Sequence, residues 1–272
     1  MSWLTKPASE TQITHGGRFW LYVVSGAVML FLVAPTLVVI PMSFSASSYL
    51  EFPPREWSLR WYDAYFNTPI WQMATATSLK VAVLTMLLAT PLGTAAAYGL
   101  HVSRFRFSTA IYAVLAMPLM VPIIMTAIGI FFLYVKLGML NTITGLTLAH
   151  SMLAIPLVLI VVAAGLKTYD MNQEMVARSL GATRFWAFLS VTLPQIRFSM
   201  ITGALLAFLT SLDEVIVALF ISGGDNATIT RRMFNALRDQ IDPTIASIST
   251  CLIAISVVLL VLAQVFGKKQ DE

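Results

Sequence analysis

Apolar residues along this chain fall into six long blocks separated by short polar stretches. The blocks run at about 19–42, 78–100, 109–135, 142–166, 198–221 and 246–266. Each approaches or exceeds the ~20 residues that a helix needs to cross a bilayer. The pattern predicts an all-α polytopic membrane protein with six transmembrane helices, a single domain over residues 1–272. The first block follows a polar opening that contains Lys6, Glu10, His15 and Arg18. It is too long for a signal-peptide core and has no small-residue cleavage site close behind it, so it reads as a retained span. Between the first two blocks, residues 43–77 carry Pro53, Pro54, Trp57, Trp61, Tyr62 and Tyr65 among charges. Such a mixture fits a stretch lying along the membrane surface. Pro91, Pro118, Pro122 and Pro156 fall inside blocks, and bundled membrane helices tolerate the resulting kinks. Small residues at 93–97 and at Gly203-Ala204 let neighbouring backbones approach closely.

Composition agrees. Of 272 residues, 58% are hydrophobic and 11% charged, whereas soluble domains carry about 25% charged residues. A soluble enzyme is excluded, because a globule of this size has no interior large enough to hide that surface. The lone Cys251 cannot form an intrachain disulfide. One cysteine with three scattered histidines (His15, His101, His150) also leaves no metal site to expect.

The net charge of +4 says less than its distribution. With the N-terminus inside, Lys6, Arg18, Arg104, Arg106, Lys167, Arg178, Arg184, Arg197, Lys268 and Lys269 are cytoplasmic. Arg55, Arg60, Lys136, Arg231, Arg232 and Arg238 are outside, a ratio of ten to six that puts both termini in the cytoplasm. Lys80, near the outer end of the second span, reads as snorkelling to the surface.

The longest cytoplasmic segment, about 167–197, reads as two short helices around a glycine. Asp170 or Asn172 is placed to cap the first, and Glu174 suits the positive end of its dipole. Gly181 supplies the left-handed residue that ends it. The second helix, about 183–192, places Phe185, Phe188, Leu189 and Thr192 on one face, and Pro194 marks the approach to the next span. Two amphipathic helices at this surface need lipid headgroups or a partner's groove to pack against.

This loop resembles that of the permease subunits of bacterial ABC importers, marked by E-A-A-x3-G-x9-I-x-L-P. Counting from Gly181, Val176 and Ala177 hold the alanine positions, Val191 the isoleucine, and Leu193-Pro194 the end. The motif's glutamate falls at Met175, with the acid one place earlier at Glu174. The segments Ser211-Leu212-Asp213-Glu214, Ile241-Asp242-Pro243-Thr244 and Phe52-Pro53-Pro54 are similar to the spermidine/putrescine-type subgroup. The resemblance implies the type I importer fold in a bacterial inner membrane. It also implies pairing with a second, similar permease, two ATPase subunits beneath that bind ATP and Mg, and a soluble substrate-binding protein outside. Glu174, Ala177, Gly181, Ala182, Leu193 and Pro194 would then belong to a coupling helix that docks on the ATPase.

The chain has no phosphate loop of its own; Gly165-Leu166-Lys167-Thr168 lacks both the spacing and the Gly-Lys pair. No catalytic residue, cofactor or nucleic-acid partner is expected. Asp213 and Glu214 form the one acidic pair inside a predicted span, about 23 Å along the helix from its cytoplasmic start. They either attract a cationic solute in the pathway, with one of the two facing it, or pair with a basic residue of the protein. His150 reads as a hydrogen-bonded core histidine. An ion-coupled secondary transporter and an intramembrane enzyme are the competing readings. The first leaves the Gly181 motif unexplained, and the second needs catalytic groups that converge.

Overall fold

The computed structural model describes residues 14–103, 105–239 and 241–267, with side chains as far as Val261. Lys6, Glu10, Arg104, Lys268 and Lys269, named above, lie outside the described residues. The fold is helical, with an isolated β-bridge between Ser45 and Trp57. In chain order the helices are α1 (Phe19–Met42), α2 (Arg60–Asn67), α3 (Pro69–Val102), α4 (Ser108–Ala116), α5 (Ile123–Leu137), α6 (Ile143–Thr168) and α7 (Asn172–Ser179). They continue as α8 (Arg184–Ala187), α9 (Leu193–Gln195), α10 (Arg197–Asp213), α11 (Ile216–Ile221), α12 (Ile229–Asp239) and α13 (Thr244–Gly267).

Four helices, α1, α3, α6 and α13, are long and apolar enough to span a membrane alone. Three of the expected spans differ from the sequence reading. The third is broken: α4 with the short turn after it meets α5 at 92°. Pro122 is the cause, since it lacks an N–H and pushes Val121 out of helical geometry; Pro122 itself is extended (ψ 124°) and starts α5. By contrast, α3 runs through Pro91 and α6 through Pro156. The fifth span ends at Asp213, and Ile216–Ile221 forms a separate short helix. The second begins at Pro69, the favoured first-turn position, so the last part of the expected surface stretch joins it. Tyr65 on α2 and Trp71 on α3 are buried.

The chain divides into two compact units. The described residues of Met1–Ala64 with Ile241–Cys251 form one. There α1 buries none of its side chains. The segment after it is tied by Ser43 Oγ to Tyr62 Oη (2.7 Å), Trp61 Nε1–H to the Ser47 carbonyl (3.0 Å) and Ser247 Oγ–H to the Trp61 carbonyl (3.1 Å).

The other unit, the described residues of Tyr65–Gln240 with Leu252–Glu272, is built on α3, α6 and α10. Its core holds Ala89, Ala97, Ala154, Val158, Val162, Leu166 and Ala207. Lipid is as apolar as these side chains, so close packing holds them together. Val158 of α6 lies between glycines of both neighbours. A Cβ on Gly93 would fall 2.7 Å from it and one on Gly203 3.2 Å from it. A second cluster joins α5, α6 and α11 through Tyr134, Leu146, Leu153, Val217 and Ile221.

Candidate functional site: a cytoplasmic loop and a broken helix

The loop after α6 folds by local rules. Asp170 Oδ1 accepts the Asn172 N–H at 3.0 Å, which makes Asp170 the residue that opens α7. At the other end Gly181 has φ +97°. Its N–H donates to the Arg178 carbonyl and the Ala182 N–H to the Ala177 carbonyl, each at 3.1 Å. These paired bonds around a left-handed residue form a Schellman closure. Ala177, Gly181 and Ala182 are therefore the parts of one turn. Thr183 Oγ1 accepts the Trp186 N–H at 3.3 Å and opens α8. A π-helical turn, Phe188–Thr192, connects α8 to α9, where Leu193 and Pro194 sit in the first turn. The chain then bends by 79° into α10.

Burial separates two faces of this loop. Met175, Val176, Leu180, Phe185 and Trp186 are exposed, Leu180 at 84%. Thr192 and Ala187 are buried, and Phe188 packs its ring 4.5 Å from that of Tyr98 on α3. Phe185 thus departs from the one face expected for it together with Phe188, Leu189 and Thr192. Glu174 stands in the first turn of α7, at the positive end of its dipole as expected, and it is buried, 2% exposed. Tyr98 Oη–H donates to its Oε1 at 2.7 Å and Thr192 Oγ1–H to its Oε2 at 2.6 Å.

The acidic pair is not on one helix. Asp213 is the last residue of α10, exposed, and ion-pairs with no described residue. Glu214 is extended (φ −68°, ψ 121°) and buried. Its two carboxylate oxygens accept the N–H groups of Val217 and Ala218, both at 2.9 Å, and so cap α11. Its carbonyl accepts Thr230 Oγ1–H at 2.7 Å. The backbone groups released by the break are thus answered inside the protein, the condition for irregular backbone at membrane depth. His150 is the hydrogen-bonded core residue expected: its Nδ1 lies 2.8 Å from Ser211 Oγ, and Nε2 is 3.8 Å from Glu214 Oε2.

Outside the span, α12 carries the basic residues. Arg231 Nη1 reaches the Ala218 carbonyl at 3.5 Å and Arg232 Nη2 the Gly224 carbonyl at 3.0 Å. Burial, and after it the Arg232 charge, lowers the pKa of Arg231. Arg238 pairs with Asp239 at 2.7 Å, and that hydrogen bond lowers the Asp239 pKa. Lys80 is exposed on α3. A cavity of about 420 Å³ beside the C-terminal ends of α3 and α6 and the start of α4 is lined in part by His101, Tyr112 and Lys167, and neither acid lines it.

Comparison with known proteins agrees with this architecture. In sequence the chain is 28% identical to the spermidine/putrescine transport system permease protein PotC of Haemophilus influenzae, over 89% of this chain and 93% of that one. It is 33% identical to the putrescine transport system permease protein PotI of Escherichia coli K12, over 82% of each. In fold it matches a chain of a bacterial ABC transporter that imports the acidic polysaccharide alginate, with a TM-score of 0.69, 15% identity and coverage of 98% and 99%. Residues 89–272, which include the loop and the broken helix, match the model of the binding-protein-dependent transport system inner membrane component family. With four spanning helices and two bent helix pairs among the described residues, the Gly181 loop and relatives of this kind along most of its length, the chain belongs to that family and is an ABC importer permease.

Proposed function

We propose that this chain is one of two permease subunits of an ATP-driven importer that moves polyamines or related organic cations into the cell. The observation that carries the substrate class is its similarity to PotC and PotI, named for spermidine and putrescine, over 82–89% of its length. The site supports a cation. Helix C-termini carry a partial negative charge, and a carboxylate there is ordinarily unfavourable. Asp213 adds its charge at the end of α10 and stays exposed. An unpaired negative focus in the outer half of the bilayer suits a solute arriving from outside with positive charge. Glu214 has a different part: it holds the break open by capping α11.

The loop at 167–197 docks on the separate ATPase subunits, which bind ATP and Mg. Its exposed apolar residues Met175, Val176, Leu180, Phe185 and Trp186 supply the contact, and the Gly181 turn sets the angle between α7 and α8. The chain itself hydrolyses nothing. A soluble substrate-binding protein delivers the cation to the outer side, and both termini are cytoplasmic. Reconstitution in liposomes with the partner permease, the ATPase and the binding protein tests this. Spermidine or putrescine should enter only with ATP and should stimulate its hydrolysis. ATP-dependent uptake of an anion, with no response to either amine, would overturn the substrate class.

A further inference from the structure

Glu174 sits where four segments meet. It is on α7; its partners are Tyr98 near the end of α3 and Thr192 in the π-helical turn, at 2.7 and 2.6 Å. Tyr169, just past α6, has its hydroxyl 3.4 Å from Thr192 Oγ1. The carboxylate is 2% exposed, while Met175 beside it is 52% exposed. A buried carboxylate is kept only where its hydrogen bonds are made. Here they come from hydroxyls, and the Arg184 guanidinium, 6.0 Å from the Tyr98 ring centre, also interacts with the Tyr98 side chain. Tyr98 also meets the Phe188 ring in a tilted contact, centre to centre 4.5 Å. Through Tyr98, the loop is thereby fastened to the end of a 34-residue spanning helix by the Glu174 hydrogen bond and the Phe188 ring.

We propose that Glu174 is a positioning residue that makes the loop and α3 move together. It hands displacement of the docked loop to the spanning helix and makes no contact with the ATPase. Met175, one place along, takes the outward side of α7. The proposal rests on the coupling role given to the loop above. A movement of the loop can reach α3 only through contacts that survive it. Two short hydrogen bonds in a dry site, at 2.7 and 2.6 Å, make such a link.

The test compares Glu174→Gln, Glu174→Ala and Tyr98→Phe in the complete complex, with ATPase attachment, ATP hydrolysis and transport measured on each. Glutamine still accepts from Tyr98, and its amide can donate to Thr192, so it should couple like the wild type. Alanine should keep the ATPase attached and hydrolysing but lower transport per ATP by at least about tenfold, the factor given by loss of one good hydrogen bond to a charged group. Tyr98→Phe keeps the tilted ring contact with Phe188 and loses one link, and should fall between the two; it carries the test if the alanine variant does not assemble. Wild-type coupling in both Glu174→Ala and Tyr98→Phe would overturn the proposal. So would a glutamine variant that sheds the ATPase as alanine does, since the carboxylate would then be a direct contact. A wild-type complex whose hydrolysis ignores substrate would instead overturn the coupling role of the loop, and this proposal with it.

Discussion

Replacing each acid of the α10–α11 break separates a structural carboxylate from one in the transport path. Glu214 accepts two N–H groups of α11 at 2.9 Å and is almost fully buried. Hydrogen bonds to a charged group contribute about 1.5–3 kcal/mol each. Glu214→Ala removes both and leaves two buried N–H groups unanswered, a cost of roughly 3–6 kcal/mol, comparable to the whole stability of many domains. Glu214→Gln keeps one acceptor and turns an NH₂ toward the other N–H, so it should lose about half as much. Asp213→Asn has no such partners to lose. Removing a negative charge from a helix C-terminus is neutral or stabilising by up to ~1 kcal/mol. Its effect should be on the solute: a cation within about 4 Å gains some 4 kcal/mol from a carboxylate at intermediate dielectric. A drop in uptake of tenfold or more follows. The assay sets the yield and melting temperature of detergent-purified complex beside ATP-driven spermidine uptake in liposomes. Asp213→Asn should give normal complex that transports poorly, and Glu214→Ala little complex at all. A stable, active Glu214→Ala complex, or loss of assembly in Asp213→Asn, would refute this division of roles.

Other substitutions test the remaining parts. Gly181→Val puts a β-branched residue at φ +97°, costs at least about 1–2 kcal/mol, and should uncouple transport from hydrolysis or detach the ATPase, as read by co-purification and phosphate release. Met175→Glu restores the glutamate that the family's loop motif has at this position and should leave transport within about twofold of wild type. Gly93→Leu drives a side chain into Val158, which already lies 2.7 Å from where a Cβ would stand. It should lower the melting temperature through overpacking of roughly 1–3 kcal/mol or more, while Gly99→Ala, with open space around it, should not.

Much of this was legible in the sequence because it is local. The first span matches α1 at both ends, Phe19 and Met42. The turn at Gly181 follows from a glycine after a short amphipathic run. His150 was expected to be buried and hydrogen-bonded, and it is. What escaped is decided by distant partners. A hydropathy average runs smoothly from 198 to 221, but α10 ends at Asp213, where Glu214 finds the α11 amides and Thr230 arrives from 16 residues downstream. The burial of Glu174 escaped because nothing near it in sequence announces Tyr98, 76 positions away. The 92° bend left a local trace, the prolines at 118 and 122. A proline four residues after another lacks the N–H its helix needs and presses on the carbonyl of the first. Pro91 and Pro156 stand alone, and their helices continue.

The central claim is that this permease moves cations only when a separate ATPase drives it. Its most direct test is labelled spermidine uptake into liposomes that hold the chain with its partner permease, ATPase and binding protein, beside liposomes that hold the chain alone under a proton gradient. The account predicts uptake in the first, abolished when ATP is replaced by a non-hydrolysable analogue, and none in the second. Uptake by the chain alone, driven by the gradient and indifferent to ATP, would contradict it.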